Sequence, residues 1–419
     1  MLVVTSNWAL GDATLFRGGG WQAGLPGAVH RAAIRGGFRD DGTYRPIESL
    51  DLVIAGDTFD WLASAAWCGR SRPWHGGDHT RETLLGIASD SLRSARRLLA
   101  TVTRWADRGL AVPDADIRRR PAGRAIAVPV RVTLLAGDRD APLADVARHL
   151  PRQPFAIGET WSDDTLTIRH GHDLDPSCRR TDDEDARTSG GRPPTLAESV
   201  GVDLVTRFAV AARRRVPELP GMGRLLRGLA CSKPVDLPFT IAAWRAEADR
   251  EMPGCAEQVR DITSTWRHAV AEWLSEARRQ VPACEVEFDA VHCLAAWLDG
   301  AFRSIDEPII VPAGIQRLRG RASFSGRVPS SPDGAGADRR LVLGHFDDGF
   351  VGDSAGAMVG LANGLWDSWG LEPTPTVMAV RRRASGLCWE TIMAGNHRSS
   401  IVTIAPSGWD RGRAVVDAA

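Results

Sequence analysis

The chain has 419 residues, enough for two domains or for one domain carrying a large insertion. Its 52 basic and 52 acidic side chains cancel, so no global field draws it to nucleic acid or to an anionic membrane. Seven cysteines, odd in number and without a C-x-x-C pair, argue against a disulfide framework or a zinc ribbon and fit a reducing, cytoplasmic compartment.

The first residues, MLVVTSNWAL, lack a basic leader and are not a signal peptide, and no apolar stretch approaches the ~20 residues of a membrane helix. Lys233 is the sole lysine, so nearly all positive charge is arginine. The arginine clusters at 118–120, 213–215 and 381–383 read as solvated faces.

In chain order, Leu2 to Thr5 is a β-branched run and a natural first strand, ending at Ser6-Asn7-Trp8-Ala9. Residues 17–48 are rich in Gly and Arg without clear periodicity, which predicts loops and at most one short helix. Leu52 to Ala55 is a short buried strand that stops at Gly56-Asp57-Thr58-Phe59-Asp60. Apolar residues from Leu84 to Trp105 recur every three or four positions, which predicts one amphipathic helix over about 80–107. Residues 113–127 read as a surface loop. Val128 to Ala136 is a second buried strand, ending in Gly137-Asp138-Arg139-Asp140, and a short helix follows over 143–150.

Two further strands are predicted near 155–158 and 165–169, the second running into His170-Gly171-His172. Residues 178–195 are a polar, Gly/Pro-punctuated linker. From 196 to 303 the pattern is almost wholly helical, with Trp244, Trp266, Trp273 and Trp297 as packing residues. Strand character returns at 308–311 and at 341–343, the latter before Gly344-His345-Phe346-Asp347. A meander at 376–381, 388–393 and 400–404 closes the chain. This organisation is an α/β layered protein of four parts: a core at 1–177, a linker at 178–195, a helical insertion at 196–303, and the rest of the core at 304–419.

Strand ends therefore carry Asn7, Asp57 with Asp60, Asp138, His170 with His172, and His345 with Asp347. Ligands of open α/β sheets sit at the carboxyl ends of the strands. Asp, His and Asn there suit Mn, Fe, Zn or Mg, although an Asp after a strand also serves as a plain helix cap. A pair of such ions ~3.5–4 Å apart activates water against a phosphoester.

This order of motifs resembles the calcineurin-like metallophosphoesterase superfamily, whose pattern is Asp-x-His, Gly-Asp-x-x-Asp, Gly-Asn-His-Asp, a lone His, and Gly-His-x-His. The matching stretches are Asn7-Trp8-Ala9, Gly56 to Asp60, Gly137 to Asp140, His170, and Gly344 to Asp347. GDTFDWL looks most like the UDP-2,3-diacylglucosamine pyrophosphatase branch, which is also similar in its helical insertion. The resemblance covers about 1–176 and 305–395. It implies a β-sandwich flanked by helices and metal-dependent hydrolysis of a phosphodiester, phosphomonoester or pyrophosphate. The substrate class would be a phosphorylated small molecule, a nucleotide or a lipid headgroup, with the insertion and linker covering the pocket.

Carried over residue by residue, the resemblance makes Asp57, Asp138, His170 and His345 the ligands of one well-held divalent cation. Ala9 cannot ligate and Asn7 is neutral, so a second site built with Asp347 is weak or absent. Arg139 stands where the family has a proton-donating histidine, and an arginine anchors phosphate without releasing a proton. A proton would then have to come from His172 or His75, neither of which the sequence places at the site, and His172 reads foremost as a loop or supporting histidine. Asp60 and Asp140 support the ligands. Loss of Asp-x-His keeps a rival open, a catalytically impaired protein that binds phosphate or a protein partner. A lesser rival is a serine hydrolase using Ser354 in Gly352-Asp353-Ser354-Ala355-Gly356, with Asp367 and His397 following.

Overall fold

The computed structural model describes residues 1–6, 8–15, 21–39, 41–149, 154–163, 167–172, 176–178, 191–217, 219–251, 253–280, 288–300, 340–342, 376–383, 386–393 and 399–403. The strands are β1 (Leu2–Thr5), β2 (Leu50–Ala55), β3 (Leu110–Ala115), β4 (Pro121–Val128), β5 (Val130–Leu135), β6 (Ala156–Gly158), β7 (Thr160–Ser162), β8 (Thr167–Arg169), β9 (Arg340–Val342), β10 (Thr376–Arg383), β11 (Gly386–Met393) and β12 (Ser399–Thr403). The helices are α1 (Trp21–Gly36), α2 (Asp78–Ser94), α3 (Arg96–Arg108), α4 (Leu143–Ala147), α5 (Leu196–Ser199), α6 (Arg207–Arg215), α7 (Met222–Cys231), α8 (Leu237–Glu251), α9 (Ala256–Gln280) and α10 (Phe288–Asp299). A π-helical turn, Val200–Thr206, joins α5 to α6.

The chain is a mixed α/β protein. Its main sheet runs β12-β11-β10-β1-β2-β5-β6. The segment β1-β2-β5-β6 is parallel, whereas β10, β11 and β12 join antiparallel at the β1 edge. Val3, Leu52, Ile54, Val132 and Leu134 pack with α1, α2 and α3 in one core. Their neighbours Val4, Val53 and Leu135 point the other way and are buried as well. Burial on both faces explains the continuous apolar runs of β1 and of Leu52–Ala55 in β2, whereas β5 begins by alternating, with Arg131 exposed. A second sheet runs β7-β8-β9, with β8 and β9 parallel. The helical residues Leu196–Asp299 thus lie in sequence between two hydrogen-bonded strands.

Three elements depart from the sequence reading. Residues 17–48 hold a sixteen-residue helix, α1. Its buried face is Leu25, Ala28, Val29, Ala32 and Ala33, a helical stripe made mostly of alanine, whose small side chain barely marks the period. The helix expected over 80–107 is two helices that break at Ala95. The loop expected over 113–127 is largely a β-hairpin, β3–β4. β4 is largely exposed and β3 alternates only at Leu110–Val112, so little apolar alternation announces the hairpin. The strand expected at 308–311 lies outside the described residues.

The helical block has its own core, built on Phe208, Trp244, Trp266 and Trp273. Trp266 is fully buried, sits edge-on to Phe208 at 5.0 Å, and donates its indole N–H to Leu298 O at 2.7 Å. The block is entered through a capping box: Thr195 Oγ1 accepts from Glu198 N at 3.1 Å, and Glu198 Oε2 accepts from Thr195 N at 2.9 Å. Arg192 grips the same Glu198 carboxylate with two nitrogens. Thr195→Ala is expected to cost about 1 kcal/mol, seen in thermal melts as a fall of a few degrees.

Candidate metal and phosphate site

β2 ends in a sharp backbone turn. Gly56 has φ +87° and Asp57 φ +49°, two consecutive left-handed residues. Glycine adopts that region freely, and aspartate tolerates it better than most residues. The turn lifts the Asp57 carboxylate off the sheet end. It is locked from the first strand's side, because Ala9 N donates to Asp57 O at 2.9 Å, Leu10 N to Thr58 O at 3.0 Å, and Asp60 N to Leu10 O at 3.2 Å. Ala9 therefore reaches Asp57, but it contributes a backbone amide and no ligand.

β5 ends beside it. Gly137 lies so close to Asp57 that a Cβ on it would overlap the Asp57 carboxylate. Asp140 is fully buried and ties the two loops, accepting from Gly137 N at 2.7 Å and from Phe59 N at 3.1 Å. Arg139 N donates to Asp57 Oδ1 at 3.0 Å, and the Arg139 guanidinium donates to Asp60 Oδ2 at 2.8 Å. Asp60 in turn accepts from Ala63 N at 3.1 Å through its other oxygen. Asp60 and Asp140 thus tie these loops together.

β8 delivers the histidines. His170 is buried, with Nε2 3.6 Å from Asp57 Oδ2 and Nδ1 3.5 Å from Asp138 Oδ1. His172 Nδ1 lies 3.2 Å from His170 Nδ1, one nitrogen donating and the other accepting according to tautomer. One ligand atom each from Asp138, His170 and His172 fall within 4.8 Å of one another, a group that can hold a metal ion. His172, expected as a source of protons, thus joins the ligand cluster. Gly56 makes the approach possible, since any side chain there would run into the His170 ring. Gly56→Ala is expected to displace His170 and to destabilise the fold by about 1–2 kcal/mol, while weakening metal affinity about tenfold. A denaturant melt and a metal titration on one variant read both effects.

The electrostatics favour a cation. Burial pushes the Asp57 carboxyl well above the usual carboxylate range, and Asp138 and Asp140 push it further, against the pull of Arg139. Burial raises Asp140 to about 7 despite its two backbone donors. Asp57 Oδ2 is buried and accepts no hydrogen bond among the described residues. Carboxylates crowded in a dry site need protons or a cation to offset their repulsion, and the mixed Asp/His donor set fits a divalent transition ion.

Asp138 and Arg139 also line a cavity. Its other wall is the helical block, through Val200, Val205, Leu229, Lys233 and Leu237. Asn7, His345, Asp347 and Ser354, with Asp367 and His397, lie outside the described residues. His75 packs edge-on against Trp74 and is not in the ligand cluster.

Comparison with models of known protein families, with curated proteins and with solved structures finds no match for this chain. What the site can do follows from its geometry.

Proposed function

We propose that this protein binds one divalent cation through Asp138, His170 and His172, with Asp57 on the other side of the His170 ring, and hydrolyses a phosphoester or pyrophosphate there. The observation that carries this reading is that one ligand atom each of Asp138, His170 and His172 fall within 4.8 Å of one another, while the buried Asp57 carboxylate lies 3.6 Å from the other His170 nitrogen. A bound divalent ion would supply Lewis acidity and a water of lowered pKa. The chain's own residues do the rest. Asp140 and the Gly137 backbone fix the loop that carries Asp138, and Arg139, held by Asp60, presents positive charge where the cavity begins. His172 is half-buried and stands beside His170.

The phosphoesterase reading draws on the order of motifs and on the family resemblance. The sandwich expected of that family would set the β7-β8-β9 sheet against the main one. The substrate is a phosphorylated small molecule, a nucleotide or a lipid headgroup, and the block's cavity wall would select among them. The ion is Mn, Fe, Zn or Mg. A second reading, binding without turnover, is favoured by Ala9, which leaves the Asp57 turn without the imidazole of an Asp-x-His pair.

Turnover of a chromogenic phosphodiester by protein loaded with Mn2+ tests the proposal. Activity that follows metal content, and is lost in His170→Ala, is expected. A metal-loaded protein inert on phosphodiesters, monoesters and pyrophosphates alike would leave the binding reading standing and remove the enzymatic one.

A further inference from the structure

A second feature lies far from this site. Among the described residues the exposed large apolar side chains are Phe38, Ile117 and Ile157, and the segments carrying the first two are joined through Tyr44. Ile117 sits at the tip of the β3–β4 hairpin and is wholly exposed. Phe38 follows α1, is 41% exposed, and rests edge-on against Tyr44 at 5.1 Å. Tyr44 N donates to Arg119 O at 2.7 Å, and Tyr44 Oη to Pro113 O at 3.0 Å, so the Phe38 loop and the hairpin form one unit.

Around this pair the charges are sorted. Asp116 turns inward and accepts from the backbone N–H groups of Arg118 and Arg120 at 2.8 and 2.7 Å. Asp41 and Asp114 are likewise turned onto the amides of Thr43 and Ala115, both at 2.8 Å. The side chains of Arg118, Arg120 and Arg124 are exposed and form no ion pair among the described residues. The result is a solvent-facing isoleucine next in sequence to exposed arginines, on a loop braced by aspartates of which Asp41 is itself exposed.

We infer that this hairpin tip, with Phe38 beside it, docks on an anionic lipid bilayer. Isoleucine and phenylalanine enter the headgroup–acyl boundary, and the arginines meet lipid phosphates. The arginines alone would equally suit a nucleic acid, but a phosphate backbone gives a fully exposed isoleucine nothing to bury against. Gly36, at the end of α1, abuts Met1 at the start of β1, which puts the Phe38 loop at the amino edge of the parallel strands. Asp57, Asp138 and His170 are at the carboxyl edge. Docking would therefore hold the protein at a membrane with its site turned toward water.

Co-sedimentation of the full chain with vesicles tests this, comparing neutral phosphatidylcholine with the same lipid carrying about a third phosphatidylserine. Binding to the anionic vesicles alone, weakening with added salt, is expected. Ile117→Asp should weaken it about tenfold, and Arg118→Glu with Arg120→Glu and Arg124→Glu about a hundredfold or more. All four positions are exposed, so unchanged melting curves confirm that the variants fold. The inference is overturned by no binding at low salt, by equal binding to neutral vesicles, or by variants that bind as wild type does. It is equally overturned if the hairpin proves to bind an oligonucleotide, or a second copy of the chain, in place of the vesicles.

Discussion

Replacing His170 with alanine is expected to abolish metal binding at the site and, with it, any phosphoester turnover. His170 is the hub: one ring nitrogen faces Asp57 and the other faces Asp138. Disturbing a residue that merely orients a ligand costs about 10–100-fold in affinity, so deleting this ligand should cost more than about 100-fold. Removing the imidazole also leaves Asp57 and Asp138 facing each other across a buried gap, which raises their proton affinity and makes them poorer ligands. His170→Gln is the sharper variant, because it preserves bulk and polarity beside Gly56 but offers only a neutral amide. If His170→Gln keeps the fold and loses the metal, the histidine is a ligand. If it keeps both, the pocket is a polar core.

The second large effect concerns the join between the α/β core and the helical block. Arg72 Nε donates to Asp203 Oδ1 at 2.6 Å, and both side chains are buried. The same guanidinium serves three backbone carbonyls, Trp67 O, Gly69 O and Ser71 O, at 2.6, 2.8 and 2.8 Å. Arg72→Met strands all four acceptors and is expected to destabilise the protein by about 3–5 kcal/mol. Arg207 Nη2, 3.2 Å from the same Asp203 oxygen, holds the loss toward the lower end of that range. Burial already lifts the Asp203 carboxyl above its usual range, Arg72 notwithstanding, so desolvation outweighs attraction in this pair. Replacing Asp203 with leucine in the Arg72→Met background should therefore recover part of the stability, though not the part owed to the carbonyls. Urea melts of the single and double variants separate the two contributions. The same break loosens the wall that Val200 and Val205 give to the cavity, since both flank Asp203 in the π-helical turn.

What could be read from residues alone follows from how local each signal is. Asp57 and Asp138 each sit within three residues of an apolar run, so strand end and polar group announce one another, while His170 follows the short strand Thr167–Arg169. Trp244, Trp266 and Trp273 were legible as core because their neighbours repeat at helical spacing. The Arg72–Asp203 pair had no such signal. Each residue is an ordinary charge in its own stretch, and only the packing of the π-helical turn against the Trp67–Arg72 loop buries them together. The hairpin tip was legible as an arginine cluster but not as an apolar one, because Phe38 reaches it through Tyr44 and the tertiary fold. His172 was assigned to proton transfer. Its place two residues beyond His170, across Gly171 at φ +84°, is what turns it back toward the ligands.

The central claim is a single cation held by Asp138, His170 and His172. Calorimetric titration of chelator-stripped protein with Mn2+ and with Zn2+ tests it most directly. One saturable site per chain for at least one ion is predicted, lost in both His170→Gln and Asp138→Ala and retained in a surface variant such as Arg93→Ala. Saturation by neither ion, or the same isotherm from wild type and both ligand variants, would contradict the account.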